Sequence, residues 1–389
     1  MGKISMATVS ILALSINTYA GGSLSDSLIG GNFTGELGSY YVYEKAGDKV
    51  ADIMDFALRV NYTTGSYYGF KTSATAQLSY SAFIDKYEEK IFGAKNGWYG
   101  SGAVLSELYL SYKYSKTEIK AGRQFINMPL INGDRDKAVV QSFQGVTVVS
   151  SEVKDNIFYG AYIDGFQLQT DGKGGIGKFE KRIKQQFDGD WAYAIGIENS
   201  YFKKLIITGA YGAIYDVMSM IYTEVNYKNI FKNDSFDYNA ALQYANTNYK
   251  NQNINDANYY GVKLGFGVNN LRVYAAYAQI TDGTSGFGIL GGGNKCVLFT
   301  SSLEKCALYD ESRQYAVDAN YNFKESYLAG VRYSSMDYAK TAESVDWTDV
   351  YIAYSPAKKN LFVSGVYERE NHKPSKEIDT FMVRAKYNF

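Results

Sequence analysis

The sequence predicts an all-β fold: a transmembrane, antiparallel, up-and-down barrel of about eighteen strands. Three observations predict it. Apolar and polar residues alternate through segments of roughly ten residues from near residue 34 to the C-terminus. The links between segments alternate between short and long. The chain carries 38 Tyr, 21 Phe and 38 Gly but only 3 Pro.

Alternation at period two puts successive side chains on opposite faces of a strand. At the C-terminus Phe381, Val383, Ala385, Tyr387 and Phe389 share one face, and Met382, Arg384, Lys386 and Asn388 the other. Tyr238, Ala240, Leu242 and Tyr244 stand against Asn239, Ala241 and Gln243. Tyr315, Val317, Ala319, Tyr321 and Phe323 stand against Gln314, Ala316, Asp318, Asn320 and Asn322. Leu108, Leu110, Tyr112 and Tyr114 face away from Glu107, Tyr109, Ser111 and Lys113. Aromatics gather near strand ends with smaller or aliphatic residues between them, the layout of a lipid-facing band with two aromatic girdles.

Composition agrees. Hydrophobic residues are 46% of the chain, yet mean hydropathy is −0.28. No run reaches the roughly 18–20 apolar residues of a membrane-crossing helix, so any crossing must use strands. Tyr and Phe suit a pleated surface, and Tyr suits a membrane–water boundary. Pro interrupts the ladder of a sheet, and Pro129, Pro356 and Pro374 all fall in expected loops or turns.

Strands are expected near 35–45, 53–63, 67–80, 104–115, 117–124, 143–151, 154–164, 190–199 and 204–213. Others follow near 217–227, 235–246, 257–267, 270–281, 312–323, 325–335, 346–355, 359–370 and 377–389. Links after even-numbered strands are short, as at Ser115-Lys116 and Gly267-Val268-Asn269. Links after odd-numbered strands are longer, notably 81–103, 125–142, 165–189 and 282–311, with Gly212 to Asp216 an exception. Short turns at one end and long loops at the other mark an outer-membrane barrel rather than a soluble sandwich. This topology places Trp191 and Trp347 at the outer rim, at interfacial depth. In hydrocarbon an unpaired edge is costly, so the first and last strands must pair. At this strand number the lumen is too wide for wall side chains to fill.

Lys3, the apolar run Ile4 to Ile16, and Thr18-Tyr19-Ala20 before Gly21 predict a signal peptide over 1–20. Residues 21–33 are a short lead-in, and 34–389 the barrel. A structural helix is the competing reading of the first segment, but Gly21-Gly22-Ser23 follows it directly. In an exported chain Cys296 and Cys306 are expected to form a disulfide, with two free thiols as the alternative. The one histidine, His372, lies far from both, and no metal or cofactor is expected. Lys+Arg and Asp+Glu are 40 each, a balance that speaks against nucleic acid as a partner.

Charges at mid-membrane depth cost roughly 2–4 kcal/mol when they face lipid, so they should face the lumen. By parity Arg59, Lys71, Lys263, Arg272, Arg332, Arg384 and Lys386 form a basic set on the pore wall. Two readings stay open: a guiding set, or scattered charges balanced by Glu107, Glu224 and Asp318. Arg123 shares a face with Ile119 and Ala121 and is placed at its strand's outer end.

Residues 117–150 read TEIKAGRQFINMPLINGDRDKAVVQSFQGVTVVS. Gly122-Arg123-Gln124, Pro129, Asp134-Arg135 and Phe143-Gln144-Gly145 resemble the OprD-type porin family of Gram-negative outer membranes. Strand number, long third, fourth and seventh loops and the terminal Phe389 extend the resemblance over the mature chain. Lys137-Ala138-Val139 stands where the family often has Leu-Pro. The resemblance implies that the third loop folds inward as the constriction and that basic wall residues guide anionic or carboxylate-bearing solutes. It also implies that Phe389 is an assembly signal read by the barrel-assembly machinery.

The third loop then supplies Asn127, Asn132, Asp134, Arg135, Asp136 and Lys137 as constriction residues. Mixed signs there would set a transverse field, or Asp134 and Arg135 would pair to brace the loop. Loop 282–311 carries Gly283, Gly286, Gly288 and Gly291-Gly292-Gly293 but lacks the Lys-Ser/Thr of a phosphate cradle, and is read as a flexible outer loop.

The expected function is passive, selective diffusion of small hydrophilic solutes and ions through an aqueous pore in the outer membrane. The alternative is a structural or adhesive barrel whose outer loops bind a partner. A barrel-borne hydrolase would need His372 as its base, isolated in an expected outer loop, and no enzyme is expected. An energy-coupled transporter would need a plug domain ahead of the first strand. Lipid is the surrounding partner, and monomer and homotrimer stay open.

Overall fold

β-Branched and aromatic residues at alternate positions form long strands, and turn residues that tolerate a left-handed backbone join them. Ser115, Asn269 and Lys324 in the short turns have φ of 49°, 51° and 48°. The computed structural model describes residues 23–389 except 83, 89–90, 93–99, 181–188, 231–235, 286–297, 307–309, 342, 357–359 and 375. The expected signal peptide therefore lies outside the described residues.

The first strands are β1 (Asn32–Ala46), β2 (Lys49–Thr63), β3 (Phe70–Ala82), β4 (Gly102–Tyr114), β5 (Thr117–Gln124), β6 (Ser142–Ser150) and β7 (Asn156–Gln167). The two-residue β8 (Phe179–Glu180) pairs only with the end of β7. Then come β9 (Ala192–Asn199), β10 (Leu205–Ile214), β11 (Met218–Ile230), β12 (Phe236–Tyr249), β13 (Ala257–Val268) and β14 (Leu271–Thr281). The last are β15 (Ser312–Phe323), β16 (Tyr327–Tyr338), β17 (Ser344–Tyr354), β18 (Leu361–Lys373) and β19 (Lys376–Asn388). Setting β8 aside, each strand pairs antiparallel with the next, and β7 pairs with β9.

β1 closes the barrel on β19, from Glu36 opposite Asn388 to Ala46 opposite Ile378. Gly35 and Phe389 extend this seam with reciprocal backbone hydrogen bonds of 2.8 and 2.9 Å. A Cβ on Gly35 would overlap the Phe389 ring, so glycine allows the terminal ring to lie across the first strand. The closed 18-strand barrel has no free edge, the condition for crossing hydrocarbon with strands.

Burial alternates as the sequence pattern requires. In β15, Gln314, Ala316 and Asp318 are buried while Tyr315, Val317 and Tyr321 are exposed on the outer face. In β19, Met382 and Arg384 point inward, and Phe381 and Tyr387 outward. Leu242 and Leu264 are 57% and 60% exposed, an arrangement that is stable against lipid and unfavourable in water. Aromatic groups ring both ends of the outer face. Trp191 stacks on Tyr215 at 4.9 Å at the loop end, and Tyr327 on Tyr354 at 4.6 Å at the short-turn end.

Four expectations change. Trp347 does not join the outer ring: it is 1% exposed and packs inside the barrel with Met336 and Val345. It shares parity with buried Asp349, whereas Val350 and Ile352 face outward. His372 lies at the end of β18, opposite Lys376, not in a loop. The first link is a two-residue turn between Ala46 and Lys49, because β1 and β2 pair right to their ends. Within the seventh loop, Leu298 and Phe299 are buried rather than displayed outside.

The lead-in carries a short helix, α1 (Leu24–Ile29), capped by reciprocal Ser23–Asp26 hydrogen bonds. Gly65 N–H donates to Ser27 O at 2.8 Å, which fixes the helix at the short-turn end.

Candidate functional site

The third loop leaves β5 at Gln124 and folds into the barrel. Met128 N–H donates to Ile131 O at 2.8 Å and Gly133 N–H to Ile126 O at 3.1 Å, closing a tight hairpin around Pro129. Ile126, Leu130 and Ile131 bury themselves against Phe143, Ile163, Phe166 and Tyr259 of the inner wall. This burial of apolar side chains holds the loop inside instead of over the rim.

The family-like motif builds the loop's base. Gly122 has φ +128°, and a Cβ there would strike Leu108 O and Tyr109 Cα of β4, so only glycine fits. Gln124 accepts from Thr147 Oγ1 at 2.7 Å and is buried. Arg123 places its guanidinium 4.0 Å from the Phe179 ring in the fourth loop, away from the constriction.

Wall side chains pin the loop's return limb. Gln77 acts as a substitute strand partner for Val140: its Nε2 donates to Val140 O at 2.9 Å, and its Oε1 accepts from Val140 N at 3.0 Å. Glu107 accepts from Phe125 N at 2.9 Å, and Ser142 Oγ donates to Ser106 O at 2.6 Å. A bulge in β4 makes this possible. The register shifts at Thr75/Ala76, where Glu107 pairs with Thr75 and Leu105 with Ala76, leaving Ser106 as the extra residue. Two consecutive polar side chains, Ser106 and Glu107, therefore both serve the inner face. The odd spacing of the lipid-facing Leu105 and Leu108 is the sequence signal for this bulge.

The expected constriction residues separate in their surroundings. Asn127, Arg135 and Asp136 are exposed to the lumen, Asn132 and Asp134 are half-buried, and Lys137 is buried. Asn127 and Asn132 face each other across the hairpin. Asp134 braces the loop through backbone, not through Arg135: its Oδ1 accepts from Asp136 N at 2.9 Å, and its own N–H donates to Gln141 at 3.1 Å. Burial pushes the Lys137 ammonium down to about 8, with Asp134 and Glu304 opposing the shift.

Arg59 and Arg135 both lie 5.8 Å from the ring centre of Phe125. Arg59 also meets Glu36 at 3.2 Å and Gln77 at 3.1 Å. Lys386 donates to Arg135 O at 2.7 Å and stands 4.0 Å from Asp136. Two basic residues from the wall and one from the loop thus gather around Phe125 and the loop tip.

A second loop reaches the same region, one the sequence reading left outside. Residues 298–306 of the seventh loop lie along the inner faces of β15 to β18. Thr300 donates to Gln314 at 2.7 Å, Leu303 N to Asp349 at 3.1 Å, and Ser302 to Glu368 at 2.7 Å. Arg332 donates to Phe299 O at 2.9 Å, and Lys263 sits 4.3 Å from the Phe299 ring. Arg384 pairs with Glu304, and Lys305 with Glu368 and Glu370. Phe92 of the second loop belongs to an apolar cluster against which Ile91 and Leu303 pack. Cys306 is disulfide-bonded; its expected partner Cys296 lies outside the described residues.

The basic set therefore divides. Arg59, Lys263, Arg332, Arg384 and Lys386 touch the inward loops. Arg272 pairs with Asp237 at 2.9 Å near the short-turn end, and Lys71 begins β3 at that end. Glu224 and Asp318 act as favourable charges on Lys263 and Arg332, while their hydrogen bonds are neutral: Asp318 accepts from Tyr351 and Asn320, and Glu224 from Gln243.

A closed barrel with a lipid-facing outer surface, aromatic girdles and loops folded into a polar-walled lumen is the architecture of an outer-membrane diffusion channel. Residues 105–340, more than half of the chain, match the family described as outer membrane porin, OprD family. The chain belongs to that family. Its fold is that of Pseudomonas aeruginosa OccK9 (OpdG), with a TM-score of 0.81 at 14% identity, covering 93% of this chain and 99% of that one. Acinetobacter baumannii OccAB2 has a TM-score of 0.81 at 16% identity, covering 94% and 99%. Pseudomonas aeruginosa OpdK with vanillate has a TM-score of 0.78 at 15% identity, covering 93% and 99%. No curated protein matched. The protein is an outer-membrane porin through which small solutes diffuse.

Proposed function

We propose that the third loop is the selectivity filter of this porin and that it favours small anionic solutes, carboxylates among them. The observation that carries the reading is the meeting of Arg59, Arg135 and Lys386 around Phe125 and the loop tip. A solute that sheds part of its hydration shell there needs replacement charge and hydrogen bonds along its path. Arg135 supplies a planar donor fork suited to a carboxylate, and Asn127 adds amide groups. Asp136 opposes this on the same loop, so the field runs across the opening rather than along it. The structural relative OpdK, whose solved structure contains vanillate, supports a carboxylate as one accepted class. Residues 1–20 are removed on export, and Phe389 is read by the barrel-assembly machinery. No chemical step is assigned to the lumen, and the proposed role is transport alone.

Single-channel recording of the refolded mature protein in a planar bilayer under a salt gradient tests the reading. Ohmic steps are expected, with a reversal potential on the anion side that Arg135→Ala moves toward cations. Conductance without that shift would remove Arg135 from the filter. A folded barrel that passes no current would overturn the assignment of these loops to a conducting pore.

A further inference from the structure

The seventh-loop stretch is fixed to β15–β18 through Phe299 to Ser302, Leu303 and Lys305, yet Glu304 points the other way. Its carboxylate accepts from Arg384 Nη2 of β19, with both side chains about nine-tenths buried. Lys137 of the third loop acts on the same carboxylate as a favourable charge, and Glu368 as a repulsive one. Lys386, two residues further along β19 from Arg384, donates to Arg135 O of the filter. An enclosed guanidinium beside an ammonium, with Asp134 and Asp136 of the third loop offsetting part of the charge, is the chemistry of a weak anion subsite.

We propose that Glu304 is a tethered competitor for this subsite: its carboxylate occupies Arg384 beside Lys137, and a permeating carboxylate displaces it. The inference rests on the pore reading above, since the solute must reach Arg384 from the filter. Nothing in the strap needs to move except the Glu304 side chain, because Thr300, Ser302, Leu303 and Lys305 hold the backbone to other strands. The local charge balance also follows. With Glu304 in place Arg384 is neutralised, and with Glu304 displaced the solute's own charge takes over that task. The subsite is thus never left as a bare buried cation, which would be costly. Displacement in place of vacancy keeps binding weak, as passage requires.

The test is benzoate binding to the detergent-folded barrel, followed by saturation-transfer NMR, for the wild type, Glu304→Gln and the double variant Glu304→Gln/Arg384→Met. Glu304→Gln is expected to bind benzoate about tenfold more tightly, the loss of one charge-assisted competitor. The double variant should lose that gain, which separates the subsite from a general loosening of the loop. Glu304→Asp, folded and still anionic, should stay near wild type. Equal or weaker binding by Glu304→Gln overturns the proposal, as does a gain that survives removal of Arg384. The NMR readout does not depend on conduction. A barrel that binds as expected yet passes no current would fail the pore reading and keep the subsite.

Discussion

Lys386, on the last strand, donates to the backbone carbonyl of Arg135, in the third loop, at 2.7 Å. The bond spans 251 residues of sequence and links the strand that closes the barrel to the loop that narrows it. The lysine side chain is 11% exposed, so little water competes for it. A hydrogen bond to a charged group contributes about 1.5–3 kcal/mol. Lys386→Met should free the loop tip while leaving the barrel folded. Hydrogen–deuterium exchange at residues 134–137 is expected to rise, and single-channel current to become noisier. Unchanged protection of that segment would show that Gln77 and the apolar hairpin suffice.

The filter should respond to pH through Lys137. Burial holds its ammonium at about 8, below the ordinary lysine value of 10.5. It is therefore charged at pH 7 and largely neutral at pH 9. Loss of one positive charge as pH rises lowers anion preference, so the reversal potential should move toward cations between pH 7 and pH 9. Lys137→Met should abolish this step and resemble the wild type at high pH. A wild-type profile flat across that window would place the titration elsewhere.

Gln77 carries both backbone groups of Val140, and nothing of its shape but an amide can do so. Gln77→Leu would leave a buried N–H and C=O without this partner, each costing about 1–3 kcal/mol. It would also remove a contact of Arg59. The expected outcome is a folded barrel whose third loop detaches, with larger conductance and weaker ion selectivity. Heat-modified gel mobility checks the barrel, and bilayer recording the pore. Wild-type conductance in a folded Gln77→Leu barrel would count against the pinning role.

Strand positions and facing were readable because alternation is a local property. Each strand reports its lipid side through residues such as Leu242 and Val317 without reference to any other strand. The bulge at Ser106 left a trace in the odd Leu105–Leu108 spacing, but one shift of phase does not say what the redirected side chains will hold. Trp347 illustrates the limit of composition: a tryptophan near a strand end suggested the interface, while its parity with Asp349 placed it inside.

The inward path of residues 298–306 could not be read in this way. Its anchors are single side chains on β15 to β19, from Gln314 to Arg384, and they become neighbours only when the barrel closes. A glycine-rich loop has no periodicity to expose such partners. The sequence alone determined that this chain crosses the outer membrane with strands and which side chains of each strand turn to lipid or inward, because a lipid solvent allows few alternatives. Only the tertiary structure decided that Arg59, Lys263, Arg332, Arg384 and Lys386 hold two loops inside the barrel, since closure brings together charges far apart in the chain.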